Sequence, residues 1–181
     1  MSDVKHKVFI SYHHEDQKEV DAFIKTFSDE KNVFIARALG VDMSDDIINS
    51  DDTDYVMRRI RELYLNDSTV TIVMLGKCTW ARRYVDWEIQ SSLRQGDKTI
   101  PNGLLGVKLP SYKKNGYPDR LNKNLKQNDE QVDCYARVIE YPSRKDTLRN
   151  AIEDAFLART KKNGYIVNPR ERFKYNRSCN K

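Results

Sequence analysis

Residues 69–93 read TVTIVMLGKCTWARRYVDWEIQSSL, and the fold turns on this stretch. Val70, Ile72, Val73, Met74 and Leu75 form a near-continuous apolar run that closes at Gly76. That is the pattern of a strand covered on both faces of a parallel sheet, so whatever follows stands at the sheet's carboxyl edge. The next residues predict a helix. At about 100° per residue, Val85, Ile89 and Ser92 share one stripe with Leu93 beside it, and this is the natural core face. Glu88 falls on the neighbouring stripe with Trp80, Tyr84 and Ser91. A carboxylate flanked by rings at the rim of a core tends to have a raised pKa and to serve a specific purpose. The same pattern also allows a surface glutamate paired with Arg82, Arg83 or Arg94.

Working outward, strands and helices alternate. KVFISY at 7–12 predicts a first strand, and Glu15 or Asp16 can cap the helix that Val20, Phe23, Ile24 and Phe27 mark over 17–28. FIARAL at 34–39 predicts a second strand. Residues 40–53 are acidic and aperiodic (Asp42, Asp45, Asp46, Asp51, Asp52) and predict a long loop, solvated or substrate-facing, without the spacing of a calcium-binding loop. A helix over 55–65 leads into the central strand. LLGVKL at 104–109 and YARVIEY at 135–141 predict the fourth and fifth strands, separated by a polar stretch with at most a short helix near 120–125. Ser143 can cap a last helix that turns Leu148, Ile152, Ala155 and Phe156 inward. The expected fold is therefore α/β: a five-stranded parallel flavodoxin-like sheet of order 2-1-3-4-5 with helices on both faces. Its crevice opens where strands 1 and 3 end side by side, at 11–14 and 76–79.

Size and composition bound the function. A chain of 181 residues suits one domain with a full core. No apolar run approaches the roughly 20 residues of a membrane span, and no secretory leader is evident, so a cytoplasmic protein is expected. Three cysteines, Cys78, Cys134 and Cys179, are odd in number and widely spaced, which argues against a disulfide framework. With His6, His13 and His14 as the whole histidine complement, no metal site is expected. The net charge of +5 is concentrated at the end: from Leu157 onward eight basic residues face Glu171 alone, giving +7 and leaving −2 for everything before. The body thus lacks a field for nucleic acid, and the basic tail at 163–181 is expected to be solvated or to pack on a partner.

Several chemistries are excluded by what stands at the strand ends. SYHHED after the first strand is neither a dinucleotide-binding glycine motif nor a P-loop. Gly76 and Lys77 stand where a phospho-receiver carries its aspartate, and no G-x-S-x-G elbow is present. One carboxylate, the hydroxyls of Ser11, Tyr12 and Tyr84, and the rings of Phe9, Trp80 and Trp87 remain. This set suits a sugar: a carboxylate can hold ribose hydroxyls and stabilise an oxocarbenium-like transition state while rings stack on a base. His13 or His14 could donate a proton to a leaving group, or be an ordinary turn histidine.

KVFISYHHEDQKEV resembles the first box of a TIR domain, and TVTIVMLGKCTWARRYVDWEI resembles the third-strand and following helix region of the TIR-like proteins of bacteria and archaea, with the TIR-like subunit of the Thoeris anti-phage defence system the nearest likeness. The resemblance runs from about residue 4 to residue 161, so a TIR-like domain is expected over 4–162. It implies cleavage of NAD between nicotinamide and ribose, with NAD as substrate and no cofactor. Glu88 stands at the catalytic position. Phe9, Ser11 and Tyr12 would line the pocket, Tyr84 takes the place of a tryptophan common in TIR enzymes, and Asp45 and Asp46 would belong to the loop that closes it. The product would be ADP-ribose or a cyclic isomer acting as a messenger to a separate effector, with a phage protein as trigger, and homo-oligomers are compatible with the family. Two alternatives stay open: a non-catalytic TIR-like interaction scaffold, and a deoxyribosyltransferase-like enzyme in which the glutamate is a covalent nucleophile.

Overall fold

In the computed structural model, residues 4–39 and 44–179 are described, Ala38 and Leu39 through their backbone alone. Asp42 of the acidic loop lies outside the described residues. Five strands form one parallel sheet in the order β2-β1-β3-β4-β5: β1 (Lys7–Ser11), β2 (Ile35–Leu39), β3 (Val70–Leu75), β4 (Gly103–Lys108) and β5 (Arg137–Ile139). The expected topology is realised because β3, apolar except for Thr71, takes the centre with every residue buried. β5 is shorter than its sequence promised. Tyr135 turns instead into the core beside Leu104, and its hydroxyl donates to the Asn102 carbonyl at 2.7 Å.

The helices are α1 (Gln17–Ile24), α2 (Asp45–Ile48), α3 (Thr53–Ile60), α4 (Arg83–Ser92), α5 (Asp119–Asn122) and α6 (Lys145–Lys161). Alternation along β1 divides the core into layers. Val8, Ile10 and Tyr12 face α1 and α6, packing with Val20, Phe23 and Ile152. Phe9 faces the other way, onto Ile47, Val56, Ile60 and Trp87 of α2, α3 and α4. Period-two alternation thus sends consecutive residues of one strand to different helical layers. β4 comes so close to α6 that a Cβ on Gly103 would stand 2.1 Å from the Ala155 carbonyl oxygen.

Four local expectations are corrected. Residues 44–53 are not a bare loop: α2 forms there because Ile47, buried completely, gives it a core anchor. Trp80 does not extend α4 but sits in a separate 3-10 turn, Thr79–Ala81. Ser143 does not cap α6, which starts one residue later behind Arg144 without a side-chain cap. Asp16 precedes α1 but spends its carboxylate elsewhere, receiving a long hydrogen bond from the Thr79 hydroxyl at 3.4 Å.

The basic tail, although largely exposed, does not trail free but lies against this same chain, and two of the cysteines are joined. Residues 166–179 run back as a strap over α4, ending in a disulfide between Cys179 and Cys78, 101 residues apart. Separation along the chain carried no sign of this pairing, which only the return of the tail creates. No helix among the described residues is long and apolar enough to cross a membrane.

Candidate functional site

Glu88 is 3 % exposed, on the inner side of α4. Ser11, last residue of β1, donates its hydroxyl to Glu88 Oε2 at 2.5 Å. The parallel register sets Ser11 beside Val73, so this contact lies where β1 and β3 finish, as the topology predicts. No arginine pairs with the carboxylate: burial pushes its pKa up to about 8, with the Ser11 hydrogen bond pulling the other way. A group so placed is protonated at neutral pH until the site admits water or a cation.

Phe9, Ile47 and Trp87 pack together on this side of the sheet. Tyr84 adds its ring edge-on to Trp87 at 5.6 Å between centroids, and its hydroxyl accepts from Arg83 at 3.0 Å. Ser11, Phe9, Tyr84 and Glu88 are therefore drawn into one region. Tyr12 belongs to the opposite layer, where its hydroxyl donates to Gln17 Oε1 at 2.5 Å. Asp45 is exposed, and Asp46 turns to α3, accepting from Tyr55 at 2.7 Å and from Arg59 at 3.4 Å. The Ser44 hydroxyl foremost, then the Tyr55 and Arg59 bonds, hold its carboxyl down at about 2, so it stays ionised.

Beside the strand ends, His13 is buried, and burial together with the Arg82 charge lowers its pKa to about 4. It is a neutral imidazole at pH 7 and cannot act as an acid from this position. His13, His14 and Glu15 could bring three ligand atoms within 4.8 Å of one another, although His14 and Glu15 are exposed. Asp16, pushed up to about 6 by burial, presses on Gly76, where a Cβ would stand 2.1 Å from its Oδ2.

The outer side of α4 was not foreseen as part of the site. The Arg120 guanidinium clasps Asp86 at 2.9 and 3.3 Å and donates to the carbonyls of Pro169 and Glu171. Phe173 N donates to Asp86 Oδ2 at 3.0 Å, and Trp87 Nε1 donates to the Phe173 carbonyl at 2.7 Å. A cavity of about 550 Å³ opens between strap and α4, with Trp87 in its wall and Arg83, Arg170, Arg172 and Lys174 opposed by Asp51 and Glu171. Glu88 and Ser11 do not line it, whereas Trp87 both lines it and packs in the cluster of Phe9. An apolar Ile47–Ile48 pair inside an acidic loop was the sequence signal for the inner cover, while the strap left no such signal.

The family model described as "Thoeris protein ThsB, TIR-like domain" matches residues 9–114, more than half of the chain. The chain belongs to the ThsB TIR-like family. The match takes in Phe9, Ser11, the whole of β3 and α4, and Glu88, but ends before β5, α6 and the strap. A curated Bacillus cereus (strain MSX-D12) protein named "Putative cyclic ADP-D-ribose synthase ThsB1" is 26 % identical over 109 residues, 59 % of this chain. The chain spans about half the length of that relative, 53 %.

Proposed function

We propose that this protein is a TIR-like enzyme that cleaves NAD between nicotinamide and ribose and forms a cyclic ADP-ribose-type signal in anti-phage defence. The observation that carries the reading is the buried Ser11–Glu88 pair at the junction of β1 and β3. In this reaction the electron pair of the breaking C–N bond leaves with nicotinamide, which becomes neutral, and positive charge develops on the ribose. An ionised Glu88 beside that sugar stabilises the developing charge and holds its hydroxyls. Capture of the ribosyl carbon by a nucleophilic atom of the same molecule gives a cyclic product, and capture by water gives ADP-ribose and a proton.

Glu88 is sealed in the described conformation, so substrate must displace the cover. Ile47 of α2 is the moving part that the packing suggests, because α2 is only four residues long and its carboxylates face solvent and α3. Opening hydrates Glu88 and lets it ionise, which couples access to reactivity and suits an enzyme that waits for a trigger, here a phage protein. The domain at 4–162 would carry the chemistry in the cytoplasm, and a separate effector would read the product. The family membership and the name of the Bacillus cereus relative support this reading.

The test is nicotinamide release from NAD by the triggered protein. Glu88→Gln is expected to abolish it, and release at the wild-type rate by that variant would overturn the assignment.

A further inference from the structure

We propose that the Cys78–Cys179 disulfide is a redox-controlled latch that fixes the C-terminal strap on the outer face of α4. Cys78 is buried just past the end of β3, and Cys179 is the last described residue of the strap, half-buried. The strap has two unequal ends. Its proximal end is held from several sides: Val167 N donates to Asn124 Oδ1 at 2.9 Å, Asn168 donates to the Gln90 carbonyl at 3.0 Å, and Arg120 donates to Pro169 and Glu171. Beyond Phe173 the grip among the described residues thins to exposed contacts: Arg83 donates from its backbone N to the Asn176 side chain and from its guanidinium to the Lys174 carbonyl, Arg177 N donates to the Ala81 carbonyl, and the Arg177 guanidinium lies over the Phe173 ring and pairs with Asp119. Exposed ion pairs add little, so the disulfide is the chief restraint on that distal end.

The chain offers a route for exchange. A thiolate of a dithiol reductant attacks the more accessible Cys179 sulfur, the S–S bond breaks, and Cys78 leaves as a thiolate. The reductant's second thiol then displaces Cys179 from the mixed disulfide, so that two electrons pass from the reductant and both cysteines end as thiols. In a reducing compartment a disulfide of this kind is transient, which makes the strap a switchable element rather than a fixed brace.

Opening the latch reaches α4 through one group. Phe173, which takes the Trp87 indole N–H, lies six residues from the latch, so loosening the distal strap weakens that anchor of Trp87. Trp87 packs on Phe9 and Ile47 in the layer that seals Glu88. The latch itself stands on the strap's contacts alone; only its coupling to catalysis rests on the NAD-cleaving reading.

The strap's own cations supply the assay, since trypsin cuts after Lys174 and Arg177. We expect a dithiol such as dithiothreitol to speed cleavage at those two sites about tenfold, and Cys179→Ser to cut at the fast rate with or without it, as a locally opening segment does. Cys134→Ser, altering the free cysteine, should keep the slow, dithiol-sensitive pattern. Equal cleavage rates for oxidised and reduced protein, or three alkylatable thiols in protein prepared under air, would overturn the latch. Nicotinamide release measured on the same samples tests the coupling separately: faster release after reduction supports it, and an unchanged rate with a strap that opens removes the coupling alone.

Discussion

The hydroxyl of Ser11 donates to Glu88 Oε2 at 2.5 Å, and no positive side chain among the described residues shares that carboxylate. Its ionisation therefore depends on one neutral donor, acting against burial. Ser11→Ala removes the donor and is expected to move the apparent pKa governing NAD cleavage upward and to lower the rate at pH 7 about tenfold, since a buried acceptor loses about 1–3 kcal/mol of stabilisation. A pH–rate profile checks this: the alkaline rise should shift to higher pH, and superposition on the wild-type curve would refute it.

Glu88 also writes itself into stability. Burial raises its folded pKa from the ordinary 4.5 to about 8, so the folded state binds the extra proton and stability falls as pH rises through that window. Asp16, raised from 3.8 to about 6, acts in the same direction at lower pH, whereas His13, lowered from 6.5 to about 4, makes stability rise with pH over its own window. Above pH 6.5 Glu88 dominates: Asp16 is nearly fully ionised, and His13, protonated only in the unfolded chain, opposes it by about a few tenths of a kcal/mol. Denaturant unfolding should therefore lose about 2 kcal/mol between pH 6.5 and pH 8, and Glu88→Gln should flatten that stretch of the curve.

Two glycines make opposite predictions about rescue. The nearest atoms to a Cβ on Gly76 are those of the Asp16 carboxylate, and the nearest to one on Gly103 are the backbone of Ala155 and Phe156. Each alanine substitution should cost about 2 kcal/mol. Adding Asp16→Ala removes the three atoms nearest to the new Cβ in Gly76→Ala, so the double variant should be more stable than the two single costs would sum to. Thermal melts provide the comparison. Gly103→Ala has no such partner, because a carbonyl cannot be mutated away.

How far these features were legible follows from where their causes lie. The alternation of β3 and the helix after it is local, and it gave the sheet order and put Glu88 beside the ends of β1 and β3. The depth of Glu88 was not local: it depends on how the helices pack over the strand ends, where Ile47 joins Phe9 and Trp87 from within an acidic loop, and a single apolar pair there is a faint signal. Tyr12 looked equivalent to Ser11 and Phe9 in composition, yet the two-residue period of β1 sends it to the other layer. The strap was the least visible. Its cations read as a solvated run, because its anchors are backbone carbonyls and amides that any sequence supplies, gathered by Arg120 from a short helix 50 residues earlier.

That role of Arg120 yields a last expectation. Arg120 and Asp86 are both about 4 % exposed, and each bonds to the strap as well as to the other. Removing one member leaves the other buried and uncompensated, so Arg120→Ala should cost about 3–5 kcal/mol, far more than loss of the exposed Arg170–Asp54 pair, at about 0–1 kcal/mol. Arg120→Met with Asp86→Leu restores an apolar match and should recover much of the loss, since a buried pair contributes little net energy over a well-packed replacement. The strap would not recover with it: the carbonyls of Pro169 and Glu171 and the amide of Phe173 all bond to this pair, and an apolar couple offers them nothing. Unfolding should therefore return toward wild type in the double variant while trypsin still cuts the strap quickly. A double variant whose strap is as protected as the wild type's would mean that Trp87, Gln90 and the disulfide hold it without the ion pair.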